Sequence, residues 1–131
     1  MKKTDSPNYK DWLEKGNHDL EDAQRLFENG GYTDTICFLC QQAAEKYLKG
    51  YLVAKNAVPA AIHHLEDLAR NCAKFEKDFL ELLDSCLLLT RYYIETRYPP
   101  LVPIEYTKDE TKKAIAIAEE ITALIKDKLS Q

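Results

Sequence analysis

Residues 37–49 decide the fold, and they read Cys37-Phe38-Leu39-Cys40-Gln41-Gln42-Ala43-Ala44-Glu45-Lys46-Tyr47-Leu48-Lys49. On a helical wheel, apolar side chains cover about half of the circumference, whereas a one-sided surface helix needs a stripe of only about 100° or slightly more. We therefore expect this helix to be packed on two sides, against the rest of its own bundle and against another subunit. The polar group lies opposite and is partly covered by apolar neighbours; it consists of Gln42, Glu45, Lys46 and Lys49.

Apolar periodicity predicts four long helices and one short helix along the chain. Gly30 and Gly31 end the first helix, and Thr107 to Glu110 has the spacing of a capping box that starts the last one. No segment alternates with a period of two for long enough to form a strand. The predicted helices cover residues 9–29, 33–54, 64–72, 75–96 and 107–129. The fold class is therefore all-α, an up-and-down antiparallel four-helix bundle with one additional short helix, in a single domain over residues 1–131.

Two of the predicted helices carry specific expectations about burial. The third long helix is expected to place these side chains in the core: Phe79, Leu82, Leu83, Cys86, Leu87, Leu89 and Tyr93. On the last helix, Ile117, Ile121 and Leu124 form a second apolar stripe beside the main one. Because one partner helix does not need so wide a face, we expect an extra contact there, such as another subunit.

Composition narrows the possible classes of protein. The 131 residues include 22 acidic and 18 basic side chains, so the overall charge does not indicate a nucleic-acid binder, although a local basic patch remains open. Neither a signal-peptide core nor an apolar run long enough to cross a bilayer is present, which predicts a cytoplasmic protein without a membrane contact. The four cysteines are expected to stay reduced and to act as small core side chains, including the Cys37 and Cys40 pair.

Few residues indicate chemistry by themselves. Helical phase places Arg97 on the core side at the end of the third long helix, where its guanidinium needs either a carboxylate or an anionic ligand such as phosphate. Tyr98 follows it and is suited to stacking on a base, although tyrosine is also a common core residue. Glu45 and Lys49 stand at i and i+4 and form either a solvated pair or part of a groove.

Common enzyme and metal signatures are absent from the sequence. It contains no glycine-rich phosphate loop, no G-x-S-x-G and no H-E-x-x-H. The di-iron pattern of helical bundles needs two Glu-x-x-His pairs, and the chain has none, so we predict no metal site at His63 or His64 and no cofactor. No catalytic residue is assigned.

Three segments in this order resemble the HEPN domain family: residues 41–49, residues 63–68 (His-His-Leu-Glu-Asp-Leu) and residues 96–99 (Thr-Arg-Tyr-Pro). The resemblance covers nearly the whole chain. It implies a four-helix bundle with a short additional helix, a homodimer, and a small nucleotidyltransferase as a frequent partner in toxin-antitoxin pairs. It also implies a nucleotide-binding groove near Glu45, Lys49, His63, Arg97 and Tyr98.

The ribonucleases of the family resemble each other in an arginine that is followed four to six residues later by histidine. No arginine of this chain has a histidine at that distance downstream. The sequence therefore favours a non-catalytic HEPN bundle that dimerises and binds a nucleotide or a partner nucleotidyltransferase. Two alternatives remain open: a metal-independent ribonuclease or toxin with a rearranged site that uses His63 and Arg97, and a purely structural interaction module.

Overall fold

The chain folds into five α-helices and one 3₁₀ helix in the residues that the computed structural model describes, which are 8–59, 61–96 and 105–130. In chain order the elements are α1 (Tyr9–Glu28), α2 (Thr33–Ala54), α3 (Leu65–Ala73), the 3₁₀ helix (Lys77–Leu82), α4 (Leu83–Glu95) and α5 (Lys108–Leu129). These residues contain no strand, and the predicted all-α helical bundle with a short extra helix is confirmed.

Helices α1 and α2 pack closely and run in opposite directions. Gly50, near the end of α2, lies against Trp12 at the start of α1, while Gly16 lies against Tyr47. A Cβ at Gly16 would be only 2.7 Å from the Tyr47 ring, so the absence of a side chain permits this approach. At its other end α1 stops as predicted, because Gly30 takes a positive φ of 77°.

The last helix starts where the sequence predicts. The Thr107 hydroxyl accepts a hydrogen bond of 3.0 Å from the backbone N–H of Glu110, which caps the N-terminus of α5. The Glu110 carboxylate does not complete a capping box with the Thr107 N–H, because it instead accepts hydrogen bonds from Arg91 and from the Tyr92 hydroxyl at 2.8 Å. This side chain therefore ties α5 to α4.

Helix α2 lies at the centre of the bundle and contacts α1, α3, α4 and α5. Its neighbours in the same chain bury 13 of its 22 residues, including Glu45 and Lys49 from the predicted polar group. Ile117 and Ile121 of α5 are likewise buried within one chain, and Leu124 is half-buried. The wide apolar faces that indicated another subunit are thus largely covered by the bundle itself.

The four cysteines occupy the core as predicted, since all are free and buried. Burial raises the pKa of the Cys37 thiol to about 11, because the ionised form would lose its hydration. Burial raises the pKa of Cys86 to about 12 for the same reason. The thiols are therefore neutral at physiological pH, and their arrangement is that of small apolar side chains.

The prediction of one continuous helix over residues 75–96 was wrong. Residues 77–82 form a 3₁₀ helix, and α4 begins only at Leu83. A 3₁₀ helix turns by about 120° per residue, compared with about 100° in an α-helix, so the phase carried forward from Phe79 slips. Leu87, predicted in the core, is consequently 51% exposed, whereas Tyr92 is buried.

Candidate functional site

Glu45 is the centre of a buried polar cluster on α2. Its carboxylate accepts a hydrogen bond from Lys49 Nζ at 2.9 Å and another from Gln41 Nε2 at 3.1 Å. His63, in the segment before α3, approaches the same carboxylate with Nδ1 at 3.1 Å from Oε2. The structure therefore brings together three of the predicted site residues: Glu45, Lys49 and His63.

The cluster differs sharply in exposure from one member to the next. The side chains of Glu45 and Lys49 are only 9% and 10% exposed, whereas that of His63 is 42% exposed. A buried ion pair is costly to separate, because the remaining charge would be left without hydration. Glu45 and Lys49 are thus held in place inside the protein, whereas His63 faces solvent.

Gln41 holds this arrangement in place. Its side chain is fully buried, and its amide donates both to Glu45 and to the backbone carbonyl of His63, the latter at 3.2 Å. The Gln41 carbonyl oxygen accepts in turn from Gln42 Nε2 at 2.7 Å. One amide therefore links α2 to the segment that carries the histidine.

Aromatic rings fix the plane of the histidine. The His63 ring stacks on Tyr93 of α4 with a centroid distance of 4.2 Å and an interplanar angle of 13°. Tyr93 also stacks loosely with Phe38 of α2, at 6.5 Å and 26°. The imidazole is held by a carboxylate at its edge and by a ring on its face, which leaves Nε2 as the nitrogen through which it can bond to a ligand or exchange a proton.

A small groove adjoins this row of rings. It has a volume of about 190 Å³ and is lined by Asp34, Thr35, Phe38 and Thr96. Phe38 belongs both to the ring row and to the groove wall, so the two features are continuous. The volume is below the range of pockets that enclose a drug-sized ligand, and the lining includes the carboxylate of Asp34.

Two predicted site residues, Arg97 and Tyr98, lie outside the described residues. Helix α4 ends at Glu95, and Thr96 is its C-cap and part of the groove wall. The prediction for Arg97 assumed that the helix continues to this residue, but α4 ends before it. The approach of Arg97 and Tyr98 to Glu45 and Lys49 stays a prediction.

Sequence reasoning missed Gln41 and did not predict the contact between Tyr93 and His63. The signal for Gln41 was present, because two adjacent glutamines stand in a helix whose other side is apolar. A buried amide needs partners for its donors and its acceptor, which predicts a polar neighbour nearby. Stacking between Tyr93 and His63 depends on how α4 meets the segment before α3, and no local pattern encodes that.

A second polar group surrounds the start of α3. His64 Nδ1 lies 3.4 Å from Glu66 Oε2, and Thr90 of α4 donates to Glu66 Oε1 at 2.8 Å. Potential ligand atoms of His64, Glu66 and Asp67 lie within 4.8 Å of one another. Thr90 also accepts a hydrogen bond from the backbone N–H of Leu65 at 2.8 Å, so this group serves to fix the start of α3 on α4.

Two tyrosines that line the α4 and α5 contact are locked as neutral donors. Tyr92 donates to Glu110, and Tyr106 donates to Glu95 at 2.7 Å. Burial and these carboxylate acceptors raise the pKa of both phenols well above the usual value near 10. Their geometry is that of structural hydrogen bonds.

In the part of the chain that the structure describes, no helix has the length and apolar character needed to cross a membrane.

Comparison with known proteins agrees with this architecture. The crystal structure of TT1696 from Thermus thermophilus matches with a TM-score of 0.78 and 37% identity, over 92% of this chain and 97% of that one. The crystal structure of ST0689, an archaeal HEPN homologue, matches with a TM-score of 0.75 and 27% identity, over 93% of this chain and 98% of that one.

A curated relative from Methanocaldococcus jannaschii, named "Putative toxin MJ1304", is 26% identical over 92% of this chain and 87% of its own length. The family model described as "HEPN domain" matches residues 9–128, which include α1 to α5 in full except for the final residue of α5. The chain belongs to the HEPN domain family.

Proposed function

We propose that the protein is a nucleotide-binding HEPN module that acts as a homodimer and has no catalytic centre of its own. One observation carries the proposal: a half-exposed imidazole is fixed at its edge by buried Glu45 and on its face by Tyr93, next to a small groove. Such a fixed, exposed ring is a binding element rather than a core residue. Membership of the chain in the HEPN family supports the choice of a nucleotide as the ligand.

Within the Glu45 cluster, charge favours a phosphate-bearing ligand, whereas the Asp34 carboxylate in the groove wall disfavours one. Lys49 neutralises Glu45, so the carboxylate does not repel an anion as strongly as a free one would. His63 can then present Nε2–H to a phosphate oxygen when it is protonated, and Arg97, which follows Thr96 at the groove, would add a guanidinium fork. Tyr98 and Phe38 are the candidates to stack on the base.

Calorimetric titration with ribonucleoside monophosphates and triphosphates tests the ligand. We expect the wild type to bind at least one of them, and His63→Ala and Arg97→Ala each to bind about tenfold more weakly, because each removes a charge-assisted hydrogen bond. His18→Ala is the matched control, since His18 is an exposed histidine on α1. Absence of binding by the wild type for every nucleotide would refute the nucleotide role.

The family also supports a partner for this module. We propose a small nucleotidyltransferase, with this chain on the toxin side of a toxin-antitoxin pair, in keeping with the name of the Methanocaldococcus relative. Co-expression with the adjacent reading frame tests this, and we expect the two proteins to co-purify. The proposed partner would be refuted if the adjacent reading frame encoded a protein unrelated to nucleotidyltransferases and that protein did not co-purify.

A ribonuclease is the second candidate, and the contact between Glu45 and His63 favours it. A carboxylate that accepts from Nδ1 holds an imidazole in the tautomer whose Nε2 acts as a general base. If this candidate is correct, expression degrades RNA and arrests growth, His63→Ala abolishes both effects, and His18→Ala abolishes neither. Activity that persists in His63→Ala would exclude this site.

A further inference from the structure

Helix α4 exposes an apolar outer face. Leu87, Leu88 and Ile94 are 51%, 39% and 53% exposed, although they belong to a helix whose other side is buried in the bundle. Leu80 in the preceding 3₁₀ helix is 50% exposed and extends the same run. Four large aliphatic side chains within 15 residues are more than scattered surface leucines account for, and such clusters mark interaction surfaces.

A groove runs directly beside this face, between α4 and α5. It has a volume of about 390 Å³, and its apolar floor is formed by Leu88, Leu89, Ala114 and Ile117. Leu88 belongs both to the exposed face and to the groove, so a protruding ridge and a recess lie side by side on one surface. A surface with both features can pack against a copy of itself, as a two-fold dimer requires.

The charges on α4 have the same two-fold complementarity. In an antiparallel pair of α4 helices centred between Leu87 and Leu88, Leu87 of one copy faces Leu88 of the other, and Asp84 faces Arg91. Arg91 already contacts Glu110 and Glu95 in its own chain, but its five N–H donors allow a further carboxylate. Asp84 has no ion-pair partner among the described residues, and a second copy would supply one.

We propose that this α4 face, together with the α4–α5 groove, is the surface through which two copies of the chain associate with their α4 helices antiparallel. The inference rests on the homodimer in the proposed function and adds its interface. Residues 37–49 of α2, which first indicated a subunit contact in the sequence, are not part of it. Leu87 packs into the groove of the opposite copy, and two ion pairs between Asp84 and Arg91 set the register.

Light scattering coupled to size-exclusion chromatography tests the interface on the full chain. We expect a dimer for the wild type and at least about tenfold weaker association for Leu87→Glu, because a carboxylate is placed in an apolar contact. Asp84→Lys should also weaken association, since it places an ammonium opposite Arg91. Both positions are exposed, so both variants should keep the wild-type far-UV circular dichroism, which shows that they are folded.

Val58→Glu is the matched control, because Val58 is 93% exposed and lies in the connection between α2 and α3 rather than on α4. It should remain dimeric. If the wild type is a dimer and Leu87→Glu is equally dimeric, or if Val58→Glu dissociates to the same degree, the interface is wrong while the proposed dimer stands. If the wild type is a monomer, the proposed dimer and its interface are both wrong. Nucleotide binding is tested separately by calorimetry.

Discussion

At the scale of single residues, Glu45 carries the most structural information. It accepts from Lys49, Gln41 and His63, so a single carboxylate neutralises a buried ammonium, satisfies a buried amide and orients an exposed ring. The sequence predicted the proximity of Glu45 and Lys49 because a spacing of four residues places them on one helix face. The contact with His63 required the resemblance to a family, since 18 residues separate it from Glu45.

Loss of the Glu45 carboxylate should destabilise the protein strongly. We expect Glu45→Ala to lower the free energy of unfolding by about 3–5 kcal/mol, because Lys49 would be left buried and uncompensated. Asp22→Ala is the control: its ion pair with Arg25 is 58% exposed on both sides, and such surface pairs contribute about 1 kcal/mol or less. Urea unfolding of the three proteins gives both values, and equal losses would contradict a buried, interdependent cluster.

At the scale of elements, sequence periodicity located every helix but not the break before α4. The sequence predicted an α-helix over residues 77–82 because the apolar residues Phe79 and Leu82 have helical spacing. Both side chains are buried in the structure. The 3₁₀ turn changes the rotation per residue, which a fixed 100° wheel does not detect. Core positions after the break, such as Leu87, were therefore assigned with less success than those of α2.

The close packing of α1 against α2 predicts whether Gly16→Ala raises or lowers the stability of the protein. In an isolated helix, Gly16→Ala should stabilise by about 1 kcal/mol through helix propensity. In this protein we expect it to destabilise by about 1–3 kcal/mol, because the new methyl group would overlap the fully buried Tyr47 ring. Thermal and urea unfolding check the sign, and a more stable Gly16→Ala would show that the two helices are free to separate slightly.

At the scale of the whole molecule, the class and the family were predictable, because amphipathic periodicity and motif order are spread over the entire chain. The match of residues 9–128 to the HEPN domain confirms this. The surface available to a partner was not predictable from the sequence. The wide apolar faces of α2 and α5 suggested a subunit contact, but they are largely buried within one chain. The exposed apolar side chains occur instead on α4, and only the packed structure reveals them.

The buried thiols predict how stability depends on pH. The pKa of Cys37 is about 11 in the folded protein and near 9 when unfolded, so the unfolded chain releases its proton first as the pH rises. The stabilisation is complete below pH 9 and is lost as the pH rises through about 11. We expect the free energy of unfolding to fall between about pH 8 and pH 10, and to fall less in Cys37→Ala. Urea unfolding at the two pH values measures this, and a constant value would contradict the burial.

The most direct test of the central claim is an NMR titration that follows the ring nitrogens of the three histidines during addition of ribonucleotides. His18 is exposed on α1, His64 faces Glu66, and only His63 joins Glu45 to the stacked rings. We predict that the His63 signals move and saturate while those of His18 stay in place. Signals of His63 that remain unchanged through the titration, or that move no more than those of His18, would contradict a nucleotide site at Glu45 and His63.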